Sequence, residues 1–187
     1  QGKALTNFRK NLPEPMSDLA QQTLKDPYNF DFLTMRENYN ERELEDALTT
    51  NITRFLLELG SGFAFVGRQV RLEVNGNEYF IDLLFYHLKL RCYTVVELKV
   101  TEFKPEYLGQ LGFYVTAVNR QLRRPEDNPT IGLIICKTKD RVVAEYALEG
   151  TNQPLGISQY DLMKVTSEEL KNTLPSIEEI ENELNEK

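Results

Sequence analysis

The chain has 187 residues, 41% hydrophobic and 27% charged, enough for one domain with a real core and ordinary for a soluble fold. No apolar run approaches the roughly 20 residues that cross a bilayer, and the polar opening residues do not read as a signal peptide, which argues against a membrane partner. The net charge of -7 disfavours nucleic acid only on average, because residues 67–141 carry 12 Lys+Arg against 9 Asp+Glu. The acidic surplus therefore sits in the flanks, and the central segment is compatible with phosphate binding or with a solvated mixed surface.

Residues 1–40 read as a lead-in or linker. Pro13, Pro15 and Pro27 bound a short predicted helix over 17–25 with Ser17 as its N-cap. Leu12, Leu19, Leu24, Phe30, Phe32 and Leu33 suit a segment that packs onto something. Residues 41–59 predict one amphipathic helix, with Leu44, Leu48, Ile52, Phe55, Leu56 and Leu59 in a single stripe and Gly60 as its stop. An antiparallel meander follows. "FAFVGRQVRLEV" leads through the hairpin signal "NGN" into "EYFIDLLFYH", and a polar turn at Lys89 leads into "RCYTVVELKV". A helix is predicted over 104–122 with Pro105 in its first turn, then a strand over 131–139 and a second strand around 142–148. Capping-box patterns at Thr166 and Ser176 predict short acidic helices in a tail over 166–187. Cys92 and Cys136, both in apolar strand-like runs, predict buried thiols in a reducing cytoplasm. The order of elements predicts an α/β fold, a mixed sheet flanked by helices over 41–165.

Three charges fall inside these apolar strands. If the second and third strands turn at Lys89 and Leu90, Asp82 lies opposite Glu97, and Lys99 shares the face of Glu97. Two carboxylates about 5 Å apart repel by roughly 3 kcal/mol at an effective dielectric near 20. One of them takes up a proton, or a cation sits between them. A hard divalent ion such as Mg²⁺ would take Asp82, one Glu97 oxygen and the Leu98 carbonyl, with Lys99 facing the scissile phosphate. A cross-strand salt bridge is the structural alternative.

"IDLLFYH…VVELKV" resembles the core of the PD-(D/E)XK nuclease superfamily, with Asp82, Glu97 and Lys99 matching its signature and Ile81 at the variable Pro position. The stretch from "LLELGSGFAFVGRQV" to "GQLGFYVTAV", continued by "DNPTIGLIICKTKDRVVAEYAL" and preceded by "SDLAQQTLKDPYNFDFL", resembles the YhcG-like nuclease family over most of the chain. The resemblance implies a restriction-endonuclease-like core and a Mg²⁺- or Mn²⁺-dependent endonuclease that hydrolyses DNA, branched forms included, in repair, recombination or defence. It also implies a third acid on the helix before the first core strand, matched by Glu58, and a polar position on the next helix, matched by Gln110. Arg68, Arg71, Lys104 and Arg120 are the candidate phosphate contacts. A homodimer is implied, as is a larger protein whose absent N-terminal domain targets DNA. The rival is a catalytically inactive nuclease-like module for nucleic-acid binding or protein assembly. His87, the only histidine, excludes histidine-rich zinc and HNH centres, and "GSG" lacks the context of a nucleotide loop.

Overall fold

The computed structural model describes residues 1–162; the capping boxes at Thr166 and Ser176 lie outside the described residues. The lead-in carries β1 (Gly2–Lys3), β2 (Leu5–Thr6), α1 (Phe8–Asn11), α2 (Met16–Thr23), β3 (Lys25–Asp26) and β4 (Tyr28–Phe30). Phe8, Leu24 and Phe30 are fully buried, and each such burial contributes roughly 1.5–3 kcal/mol. β1 pairs with β3, while β2 and β4 both pair with the last strand of the sheet, so this segment packs onto the core.

Asn40 starts α3 (Glu41–Thr50) through a capping box. Its side chain accepts the Glu43 N–H, and Glu43 accepts the Asn40 N–H, a cap worth about 1 kcal/mol. The single helix predicted over 41–59 is in fact two. At Asn51 the backbone turns to φ -103° and ψ 37°, the Asn51 side chain donates to the Ala47 carbonyl at 2.9 Å, and α4 (Ile52–Leu59) begins afresh. Leu44, Leu48, Phe55 and Leu59 of the predicted stripe are all buried.

β5 (Phe63–Val74), β6 (Asn77–His87) and β7 (Cys92–Glu102) form the meander. The β5–β6 turn places Asn75 and Gly76 at φ 51° and 79°, the left-handed pair that a tight hairpin needs. α5 (Tyr107–Gln121) crosses back and brings β8 (Ile131–Thr138) parallel to β7. The stretch predicted as a strand around 142–148 is a helix, α6 (Arg141–Glu149). Asp140 caps it by accepting the Val143 N–H at 3.0 Å, and Ala144 and Leu148, one helical turn apart, are buried while Val142, Val143 and Tyr146 are exposed. The β-branched start suggested a strand, but the helical period of the buried pair prevails. β9 (Leu155–Leu162), not predicted, then runs parallel to β8.

The strand order is β2-β9-β8-β7-β6-β5, with β4 beside β9, giving the expected mixed sheet. The lead-in, α3 and α4 share a core with one face of the sheet, and α5 and α6 share a core with the other. Cys92 and Cys136 are buried free thiols, each pushed by burial up to about 12. No helix among the described residues is long and apolar enough to cross a membrane.

Candidate active site

Five cross-strand pairs, from Leu83–Val96 to His87–Cys92, follow the register read from the turn at Lys89. The ladder stops short of Asp82 and Glu97, where side chains replace it. The Asp82 N–H donates to Glu97 Oε1 at 3.3 Å, and the Leu98 N–H donates to Asp82 Oδ2 at 2.9 Å. Each carboxylate is thus fixed to the opposite strand. The alternation of β6 also breaks here: Leu83 and Phe85 join the α3–α4 core, while Ile81 and Leu84 both join the α5 core.

The neighbouring strand supplies the third side of the cluster. Gln69, at the β5 position facing Asp82, has a left-handed φ of 46°, a conformation that costs a non-glycine residue about 1–3 kcal/mol. Its Nε2 donates to Glu45 Oε2 at 2.6 Å and to Asp82 Oδ1 at 3.3 Å. Successive residues of a regular strand face opposite ways, yet Arg68 and Gln69 both reach Glu45; the left-handed step at 69 permits this. Arg68 Nε lies 3.0 Å from Glu45 Oε1, close enough for an ion pair but without hydrogen-bond alignment, so that buried oxygen has no hydrogen-bond donor.

Glu45 and Glu97 are each only 3% exposed. Burial, and after it the charge of Asp82, pushes the Glu97 carboxyl well above the usual carboxylate range. Burial also raises Glu45, with Asp82 adding to the rise against the Gln69 hydrogen bond and the Arg68 charge. Lys99 stands beside this cluster. Its Nζ lies 4.8 Å over the Tyr107 ring and 3.9 Å from Glu41 Oε2, and its charge steadies the ionised form of Glu97. On α5, Gln110 Nε2 donates to Tyr114 Oη at 3.1 Å. Burial raises the Tyr114 phenol, and the Glu97 and Asp82 charges raise it further.

Asp82, Glu97 and Lys99 therefore gather in one place, with the Leu98 backbone bonded into it through its N–H, while Gln110 is exposed on α5 and bonded to Tyr114. Glu58 does not join them. Its Oε1 accepts the Asn29 N–H at 2.7 Å and the Gln1 side chain, and Lys25 Nζ donates to its carbonyl at 2.6 Å. The break at Asn51 separates Glu58 from the helix that faces the site, and its carboxylate is satisfied by the lead-in. Glu45 is the acid that stands beside the cluster instead, bonded to Gln69 and paired with Arg68. Its sequence signal was a mid-helix acid next to the buried Leu44–Leu48 stripe; for Gln69 no local signal marks the left-handed backbone. Arg68 is held by Glu45 and Asp46 at the cluster's edge. Arg71 is engaged instead by Glu73 and Glu78 on the β5–β6 hairpin. Lys104 is exposed in the loop before α5, near the Tyr107 end. Arg120 is exposed in the last turn of α5, roughly 20 Å along the axis from Tyr107.

Among the described residues, no group of three His, Cys, Asp or Glu side chains is placed to hold a metal ion. The cluster nevertheless offers hard oxygen donors in Asp82 and Glu97, and a buried oxygen of Glu45 without a donor. Its two nearby cations, Arg68 and Lys99, are shared with Asp46 and Glu41. Such a donor set fits a hard divalent ion, which takes carboxylate oxygens and retains several waters.

The family model for the YhcG PDDEXK nuclease domain matches residues 21–175. The chain belongs to this family. It is 37% identical over 176 residues to the Escherichia coli (strain K12) protein named "Putative nuclease YhcG", covering 92% of this chain and 47% of that protein. The chain thus spans about half the length of this relative. Among solved structures, it is similar to a repair endonuclease from Pyrococcus abyssi at 16% identity and a TM-score of 0.42, over 70% of this chain and 50% of that one. It is also similar to the EndoMS-dsDNA2 complex at 13% identity and a TM-score of 0.44, over 73% of this chain and 49% of that one. The family match over residues 21–175 agrees with the resemblance read from "IDLLFYH…VVELKV".

Proposed function

We propose that this domain is a Mg²⁺- or Mn²⁺-dependent endonuclease that hydrolyses phosphodiester bonds in DNA. The observation that carries this reading is the reciprocal bonding of Asp82 and Glu97 across two strands, with Glu45 joined to Asp82 through Gln69. A structural salt bridge would pair these carboxylates with cations; here the two closest cations are shared with acids outside the cluster.

Asp82 and Glu97 would hold the ion, and Glu45 would support it from α3. The ion, when bound, would activate water and offset charge on the scissile phosphate. Lys99, beside Glu41 and the Tyr107 face, stabilises negative charge as it develops on the phosphoryl oxygens. Gln110 and Tyr114 orient the substrate backbone or a water. Arg68 and Lys104 flank the cluster and suit phosphate contacts. Arg71 and Arg120, at the hairpin and at the far end of α5, are withdrawn from that role. DNA targeting falls to the part of the longer protein that this chain does not span.

A cleavage panel of linear, nicked, forked and four-way DNA with Mg²⁺ or Mn²⁺ tests the reading. At least one substrate should be cut internally by the wild-type chain and none by Asp82→Ala. Equal cutting by both would reject it.

A further inference from the structure

Tyr107, the first residue of α5, is touched by three alternate residues at the end of β7 and just beyond it. Lys99 Nζ lies 4.8 Å from the centre of its ring, over the face. The Tyr107 hydroxyl shares a hydrogen bond of 2.8 Å with Thr101 Oγ1. The Phe103 ring meets the Tyr107 ring edge to face, with centroids 6.3 Å apart and planes at 79°. Alternate residues of an extended chain share a face, so one side chain can span all three. The backbone on both sides is fixed as well. The Tyr107 N–H donates to the Lys104 carbonyl at 3.0 Å, and the Phe103 N–H donates to the Thr138 carbonyl at 2.8 Å. The ring is therefore held at its tip, at its side and through its backbone, with a face turned to Lys99.

What this does for Lys99 follows from the kind of contact. A lysine carries its ammonium group on a flexible four-carbon stem, and nothing in the stem itself fixes where Nζ sits. An aromatic face attracts the group through its quadrupole, more strongly where water is excluded, and the Lys99 side chain is only 13% exposed. The ring accepts no conventional hydrogen bond, and Glu41 Oε2, 3.9 Å away, is beyond hydrogen-bond distance. Neither contact spends an N–H of Lys99.

We propose that Tyr107 is a positioning residue for the cleavage reaction: its ring holds the Lys99 ammonium group beside Asp82 and Glu97 and leaves the N–H donors free for a phosphoryl oxygen. This rests on the nuclease reading, because Tyr107 acts through Lys99.

Two variants separate the ring from the hydroxyl. Tyr107→Leu keeps apolar bulk and removes the ring, whereas Tyr107→Phe keeps the ring and loses only the bond to Thr101. On a DNA substrate that the wild-type chain cuts, Tyr107→Leu should lower kcat about tenfold, the scale of one cation–π contact, with KM unchanged. Tyr107→Phe should retain most of the wild-type kcat. A second readout needs no cleavage. In protein carrying ¹³C-labelled lysine, the Lys99 ε-methylene protons, assigned by their loss in Lys99→Met, should be shifted upfield by the Tyr107 ring current. That shift should persist in Tyr107→Phe and vanish in Tyr107→Leu. Wild-type kcat in Tyr107→Leu, a loss confined to KM, or no upfield ε-methylene signal in the wild type overturns the proposal and leaves the nuclease reading standing. A wild-type chain that cuts no DNA overturns both, and is told apart because the upfield shift survives.

Discussion

Replacing Glu97 by Gln should stabilise this domain without metal and destroy its response to metal. In Glu97→Gln the amide oxygen can still accept the Asp82 N–H that Glu97 Oε1 accepts at 3.3 Å, and the new N–H₂ group becomes a donor facing the Asp82 carboxylate. A like-charge contact becomes a hydrogen bond. Carboxylates about 5 Å apart repel by roughly 3 kcal/mol at an effective dielectric of 20, and Glu97 is almost wholly removed from water. Proton uptake by the raised Glu97 carboxyl already relieves part of this repulsion. The net gain at mildly alkaline pH is therefore about 1–3 kcal/mol, or roughly 2–12 °C in Tm for a chain of this size. Scanning calorimetry in EDTA reads it directly. Mn²⁺ should then reverse the ranking. At a hundredfold excess over its Kd a bound ion stabilises the wild type by about 2.7 kcal/mol, while the variant gains little. A variant less stable than the wild type in EDTA, or one that gains as much from Mn²⁺, would refute the idea of a strained carboxylate pair awaiting a cation.

Four further substitutions separate the parts of the account. Glu45→Gln should lower the DNA-cleavage rate by at least about tenfold, whereas Glu58→Gln should leave the rate unchanged, since Glu58 serves the lead-in. Gln69→Gly relieves a left-handed backbone but removes the bridge between Glu45 and Asp82; its unfolding free energy from chemical denaturation should change by no more than about 1 kcal/mol while cleavage falls. Asp140→Ala deletes the cap of α6 and should lower stability by about 1 kcal/mol with activity retained, a result that a strand at this position would not give.

The meander was legible because each of its signals was local. "NGN" specified the hairpin, and the turn at Lys89 specified the register that aligns Asp82 with Glu97. Where the reading failed, the deciding contact was distant or conformational. Val142 and Val143 suggested a strand, yet burial of Ala144 and Leu148 against the sheet selects a helix. The pairing of β9 with β8, β2 and β4 depends on segments distant in sequence. The break at Asn51 carries no proline or glycine to announce it. It also explains why Glu58, adjacent in sequence to the first core strand, is replaced at the site by Glu45. The bridge from Gln69 depends on a left-handed backbone that a glutamine does not advertise.

The most direct measurement is a crystal of this domain grown with Mn²⁺ and phased at the manganese edge. The account predicts an anomalous peak bonded to carboxylate oxygens of Asp82 and Glu97, at roughly the 2.0–2.2 Å expected of a small hard cation, and its loss in Asp82→Asn. A wild-type crystal at saturating Mn²⁺ with no peak between these two residues, or with the ion held elsewhere, would contradict it.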